Sequence, residues 1–144
     1  MTPRKGAVAP APVFVDTSAF YAVLDRDDDR HARARRIWAV LLDSGTMLVT
    51  TNYIAVETCA LLQNRLGVDA VRTFSEDVLA AVEVRWITPE QHASAMSSVV
   101  AANRKKLSLV DCASFLAMRG GGLRRAFAFD RHFTEQGFSL ETGA

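Results

Sequence analysis

Pro12-Val13-Phe14-Val15-Asp16-Thr17-Ser18 is the stretch from which the fold is read: a short apolar run that stops at a carboxylate followed by two hydroxyl residues. Val13, Phe14 and Val15 are β-branched or aromatic and run without alternation, which suits a strand covered on both faces. A helical pattern follows from Ala19 to Leu24, with Ser18 as its expected cap. In open α/β sheets ligands bind in the crevice at the carboxyl ends of the strands, so Asp16 is placed for chemistry. A strand-terminal aspartate also serves as a turn or cap residue, and the stretch acquires a functional reading only from matching acids elsewhere. Far along the chain, Ala126-Phe127-Ala128-Phe129-Asp130 repeats the pattern, a second apolar strand running into an aspartate. Two such strands in a chain of alternating β and α segments predict an α/β fold whose parallel sheet carries both acids on one rim.

The elements between them are read from periodicity and punctuation. Ala34, Ile37, Trp38, Leu41 and Leu42 recur at helical spacing between Arg30 and Asp43, Arg30, Arg33, Arg35 and Arg36 fall largely elsewhere on the wheel, and Gly45 closes the helix. Residues 47–49 make a second strand, and Thr51 or Asn52 caps a helix that runs to Leu66 and is closed by Gly67. A helix over residues 69–81 carries Val71, Phe74, Val78 and Leu79 inward. Val82, Val84 and Trp86 alternate with Glu83 and Arg85, as in a strand near a sheet edge with one wetter face. Thr88-Pro89-Glu90-Gln91 is a strong helix start, and that helix reaches Asn103. Ser108-Leu109-Val110-Asp111 opens another, ended by Gly120-Gly121-Gly122. A helical turn over 131–136 and a strand over 138–140 complete the chain.

With 144 residues, 49% hydrophobic and 23% charged, the chain has the material for one domain with an ordinary core. Residues 1–11 are a charged, Ala/Pro-rich lead, read as a disordered terminus, and the folded domain is expected over 12–144. Arg4 and Lys5 imitate the start of a signal peptide, but Pro10 and Pro12 break the apolar segment that such a peptide needs next. No apolar stretch approaches the length of a membrane span. The net charge of +1 excludes a strongly basic nucleic-acid coat and leaves room for local basic patches. Cys59 and Cys112 have neither CxxC spacing nor polar company, so reduced thiols in a cytoplasmic protein are expected. Asp27-Asp28-Asp29 lacks the glycine and distal glutamate of a calcium loop, and no His/Cys set for zinc is present.

Two more acids stand out. Glu57 shares a helix face with Tyr53, Ile54, Ala60 and Leu61, and an acid on such a face needs a partner; an ion pair with a nearby arginine or partial exposure is the ordinary reading. Asp111 sits in a first helical turn, where the helix dipole alone favours it.

In combination these features resemble the PIN domain, and within it the VapC-type toxins of bacterial toxin–antitoxin pairs. The resemblance spans nearly all of residues 13–140. It rests on the strand into Asp16-Thr17-Ser18, on Asp29 and His31 before an arginine-bearing helix, and on Thr51-Asn52 shortly before Glu57. Ser108-Leu109-Val110-Asp111 opening a helix, and Phe127-Ala128-Phe129-Asp130 with Phe133 following, complete the pattern. It implies a PIN-like three-layer sandwich, a central mostly parallel β-sheet flanked by helices, and metal-dependent endoribonuclease activity. On matching positions Asp16, Glu57, Asp111 and Asp130 are the catalytic and metal-binding acids. A cognate antitoxin, a homodimer and an RNA substrate, either transfer RNA or an exposed ribosomal RNA loop, are implied as well. Where many relatives place a further acid two residues after the last aspartate, this chain has His132.

The chemistry agrees with the residue types. Like charges about 4 Å apart repel by roughly 4 kcal/mol at an effective dielectric of 20, so four converging carboxylates call for cations. One or two Mg²⁺ or Mn²⁺ ions suit oxygen ligands beside a phosphate. The hydroxyls of Thr17 and Ser18 are expected to orient Asp16 or a water. Arg30, Arg33, Arg104, Lys105, Lys106 and Arg131 are candidates for gripping RNA phosphates, with a solvated surface as the competing reading for each. Two other functions stay open on the sequence: a PIN nuclease of RNA processing without an antitoxin, and a catalytically silent RNA- or protein-binding module that keeps the acids as caps and ion pairs. A phosphatase or phosphotransferase that opens on a strand-terminal aspartate needs a second Asp close behind it, which Thr17-Ser18-Ala19-Phe20 does not offer.

Overall fold

Val13, Phe14 and Val15 are fully buried, as a strand covered on both faces requires, and form β1 (Val13–Val15) at the centre of a five-stranded sheet. The computed structural model describes residues 9–142, so most of the lead expected over 1–11 lies outside the described residues. Ala11, at its inner end, accepts a 2.8 Å hydrogen bond from Arg125 through its carbonyl.

Four strands join β1: β2 (Leu48–Thr51), β3 (Glu83–Arg85), β4 (Arg125–Phe127) and β5 (Ser139–Leu140). Their order is β3-β2-β1-β4-β5, and every neighbouring pair is parallel. The chain leaves β1 toward β2 on one side and leaves β4 toward β5 on the other. Between the carboxyl ends of β1 and β4 the connections therefore part, which is the place where open α/β sheets form a binding crevice.

Among the described residues seven α-helices flank the sheet: α1 (Thr17–Leu24), α2 (His31–Asp43), α3 (Asn52–Arg65), α4 (Val68–Thr73), α5 (Pro89–Ala102), α6 (Leu109–Gly120) and α7 (His132–Glu135). Both expected capping boxes form, Thr88 with Gln91 and Ser108 with Asp111. Aromatic side chains close the core. Phe20 meets Phe74 edge-on at 5.1 Å, and Phe115 meets Phe133 edge-on at 5.2 Å. Such pairs add about 0.5–1.5 kcal/mol beyond the area they bury. No helix among the described residues is long and apolar enough to cross a membrane.

The structure departs from the sequence expectations in four places. Asp16, not Ser18, caps α1, because its extended backbone lets the carboxylate accept from the Ser18 amide two residues on. The helix expected over 69–81 is regular only to Thr73; a π-helical turn over Phe74–Val78 and a 3-10 turn over Leu79–Ala81 follow. Phe74 and Val78 are buried across the widened turn, with Phe74 seated on Phe20. Trp86 does not continue the inward alternation of Val82 and Val84: β3 ends at Arg85 and the indole is 76% exposed. Finally, β4 stops at Phe127, so Asp130 stands on the loop beyond the strand rather than at its end.

Candidate active site

Asp16 enters the crevice between β1 and β4 with its backbone N–H still donating to Phe127 O at 3.0 Å. The residue is only 5% exposed. Oδ2 accepts from Ser18 N at 3.2 Å and from Ser18 Oγ at 2.7 Å. Burial pushes the carboxyl up to about 7; the two bonds from Ser18 oppose the rise, and the charges of Asp111 and Glu57 add to it. The Ser18 hydroxyl oxygen also accepts from Phe129 N at 2.9 Å, in the loop that carries Asp130. One hydroxyl thus ties the β1 acid to the loop of the β4 acid. Ser18→Ala is expected to lower the cleavage rate about tenfold, the usual cost of losing a group that orients a ligand, with an unchanged circular dichroism spectrum.

Glu57 comes from the second turn of α3, whose start is set by Thr51 accepting from Ile54 N at 3.2 Å. Thr58, beside it, donates to Thr17 Oγ1 at 3.2 Å, which seats α3 against the first turn of α1. Burial lifts the Glu57 carboxyl above its ordinary range, the Thr17 hydroxyl opposes this, and the charges of Asp111 and Asp130 add to it. Among the described residues Glu57 has no ion-pair partner, so the arginine allowed for on sequence grounds is not there.

Asp111 is held by its capping box, accepting from Ser108 N at 3.0 Å while Ser108 Oγ accepts from Asp111 N at 3.1 Å. Asp130 accepts from His132 N at 2.9 Å. The His132 ring completes this corner: Nδ1 lies 3.2 Å from Asp130 Oδ1 and 3.7 Å from Asp111 Oδ2. One donor atom from each of Asp111, Asp130 and His132 falls within 4.8 Å of the other two. Asp16 and Glu57 stand outside this tight trio, yet each feels the charge of Asp111, so the four acids expected from sequence share one electrostatic site.

Of the basic candidates, Arg30 and Arg33 lie over the Phe129 ring at 5.3 and 5.7 Å, within cation–π range and next in sequence to Asp130. Arg104 is paired with Glu135 at 3.2 Å. Lys105, Lys106 and Arg131 are exposed. On sequence alone Phe129 reads as strand filling and His132 only as a missing acid. The signals are nonetheless present in Phe129-Asp130-Arg131-His132: an aromatic just before the acid, and a metal-capable side chain two residues after it.

Whether this set suits a divalent cation is tested by its charge. Among the described residues no lysine or arginine pairs with any of the four carboxylates, and two of the four are lifted by burial and mutual repulsion. A hard cation with oxygen ligands answers both conditions, so the residues fit one.

The chain belongs to the PIN-domain family, which it matches over residues 13–139. Its kin within that family are VapC toxins. It is 34% identical over 127 residues to the 23S rRNA-specific endonuclease VapC20 of Mycobacterium tuberculosis, covering 88% of this chain and 95% of the relative. The crystal structure of that VapC20, described as a sarcin-ricin loop cleaving toxin, superposes with a TM-score of 0.78 at 32% identity, again over 88% and 95% of the two chains. VapBC2 from Rickettsia felis, solved with a promoter DNA fragment, shares the fold at a TM-score of 0.66 and 8% identity, over 90% of this chain and 96% of the other.

Proposed function

We propose that the chain is a divalent-cation-dependent endoribonuclease that acts as the toxin of a toxin–antitoxin pair, the whole activity carried by one domain over residues 12–144. The observation that carries this reading is the gathering of Asp16, Glu57, Asp111 and Asp130 at the switch point of the sheet, with no lysine or arginine paired to them among the described residues. These four hold one or two Mg²⁺ or Mn²⁺ ions. A bound cation supplies an activated water and neutralises charge on the phosphate. Asp16, buried and oriented by Ser18, and Asp111, fixed by Ser108, set the place of the ligands before RNA arrives. Glu57 borders an apolar cleft lined by Asn52, Tyr53, Val56 and Val110, a wall for a splayed base.

The substrate class is a structured RNA of translation, and the likeness to a 23S rRNA-specific endonuclease directs the proposal to a ribosomal RNA loop ahead of transfer RNA. Phosphates flanking the cut are gripped by Arg30 and Arg33, which lie over the Phe129 ring beside Asp130, with Lys105, Lys106 and Arg131 as further contacts and Arg104 once released from Glu135. The double variant Arg30→Ala/Arg33→Ala is expected to raise KM about tenfold with little change in kcat, and to flatten the salt dependence of binding by about two phosphate contacts. An antitoxin and a second copy of the chain are the proposed protein partners, for which Val56, Trp86, Met96 and Val100 supply exposed apolar surface.

The deciding experiment incubates purified protein with ribosomes and with transfer RNA in Mg²⁺ or Mn²⁺, beside an EDTA control, and sequences the new ends. Cuts confined to one RNA loop and lost in EDTA are the expected result. Folded protein that makes no metal-dependent cut in either RNA returns the acids to structural roles in a silent binding module.

A further inference from the structure

His132 opens α7 and turns Nδ1 into the corner formed by Asp130 and Asp111, 3.2 Å from one carboxylate oxygen and 3.7 Å from the other. Nδ1 is buried and makes no hydrogen bond to either oxygen or to any other described group. Buried polar atoms are nearly always satisfied, and one left over at a functional site asks for an ion or other partner. The spacing names that partner. In an octahedral shell with bonds of about 2.1 Å, neighbouring donor atoms stand about 3.0 Å apart and opposite ones about 4.2 Å. One donor atom from each of the three residues falls within 4.8 Å of the others; Nδ1 is 3.2 Å from Asp130 Oδ1, near the short edge of such a shell, and 3.7 Å from Asp111 Oδ2, between its edge and its diagonal.

We propose that His132 Nδ1 is a direct nitrogen ligand of the cation held by Asp111 and Asp130, and that it turns the site away from Mg²⁺ toward Mn²⁺ and later first-row ions. The proposal rests on the cation site of the preceding subsection and goes beyond it in ligand and in metal choice. Mg²⁺ is a hard ion that takes oxygen and keeps its waters, and an imidazole in its shell gives it little. Transition ions accept imidazole readily, with affinity that rises from Mn²⁺ toward Ni²⁺ and Cu²⁺. A carboxylate at this position leaves an all-oxygen shell suited to Mg²⁺; His132 replaces one oxygen with nitrogen and removes one negative charge. The backbone N–H of His132 donates to Asp130 at 2.9 Å, so the same residue also fixes the carboxylate it shares the ion with.

Pulsed electron paramagnetic resonance on the metal-free full chain loaded with Mn²⁺ reads the ligand directly. The wild type is expected to show nitrogen coupling to Mn²⁺ that changes when its histidines carry ¹⁵N. In His132→Gln the coupling is lost and Mn²⁺ affinity falls about tenfold or more, while Mg²⁺ affinity, measured by competition, moves less than about threefold. In His132→Asp the preference for Mn²⁺ over Mg²⁺ shrinks. Should His132→Gln fail to fold, the His31→Gln/His92→Gln variant leaves His132 as the one imidazole of the three in the chain, and its nitrogen coupling decides the question alone. Mn²⁺ bound without nitrogen coupling, or coupling that survives His132→Gln, overturns the role of His132 while leaving the cation site standing. No Mn²⁺ binding by the wild type overturns both.

Discussion

Asp16→Asn abolishes RNA cleavage and, in the metal-free protein above neutral pH, raises the melting temperature. The first effect follows from removing one of the four proposed ligand charges; a loss of at least about a thousandfold in rate corresponds to about 4 kcal/mol of transition-state stabilisation. The second follows from where the carboxylate sits. Asp16 is 5% exposed and its ordinary value of 3.8 is pushed up to about 7, so the folded chain carries an unfavourable buried charge once the group ionises. Asn keeps the shape and still accepts from Ser18, and it cannot ionise. At pH 8 a gain of several degrees is expected, smaller at pH 5, with the two proteins converging only as the pH falls to about 4, near the unfolded value. Cleavage assays and thermal unfolding in EDTA check both halves, and an active Asp16→Asn protein removes Asp16 from the catalytic set.

A wild-type protein stripped of metal is expected to lose stability as the pH climbs from about 4 to about 7 and to stay weaker above that. Between the unfolded value of 3.8 and the folded value of about 7, the folded state keeps a proton on Asp16 that the unfolded chain has released. Stability falls with pH wherever the native state binds more protons. One pH unit between the folded and unfolded values is worth about 1.36 kcal/mol, so the full window amounts to about 4 kcal/mol. For a domain of this size that is roughly 10 °C in melting temperature. Glu57, also raised by burial, adds in the same direction. A divalent cation reverses the trend: at pH 8 saturating Mn²⁺ restores most of the lost stability, while at pH 5 protons compete with it and it does little. Thermal unfolding at the two pH values, with EDTA or Mn²⁺, reads all four conditions. A melting temperature that is flat or rises between pH 5 and 8 in EDTA contradicts the uncompensated acidic site.

The parts of this protein that sequence exposes are those decided locally. Val13-Phe14-Val15 lacks alternation because both of its faces are covered, and the structure buries all three. Thr88 and Ser108 announce their helices because a capping box lies within four residues of chain. The four acids are legible through a family pattern in which each follows such a local marker. What stays hidden depends on partners distant in sequence. Trp86 continues the alternation of β3 on paper, but the strand ends before it and leaves the indole in solvent. The π turn begins at Phe74, whose ring packs on Phe20 of another helix, a contact that no local pattern announces. Ser18 looks like a cap from its neighbours alone; its second bond, to the Phe129 amide, depends on a residue 111 positions away. His132 can be noticed from sequence, but its meaning lies in the distance to Asp111, which only the fold supplies.

That same bond from Phe129 to Ser18 has a bearing on how such a protein is made. The β1 strand and Asp16 emerge from the ribosome early, while β4 and the loop that completes the site come near the end, and the bond between them spans 111 positions of chain. Contacts of such long span form late, after the loop between them has been closed. A nascent chain with α1, α3 and even Asp111 in place still lacks Asp130 and the tie to Ser18. A product that stops short of Phe129 lacks both Asp130 and the backbone amide that donates to Ser18, so the crevice between β1 and β4 is left open on one side until the chain is nearly finished.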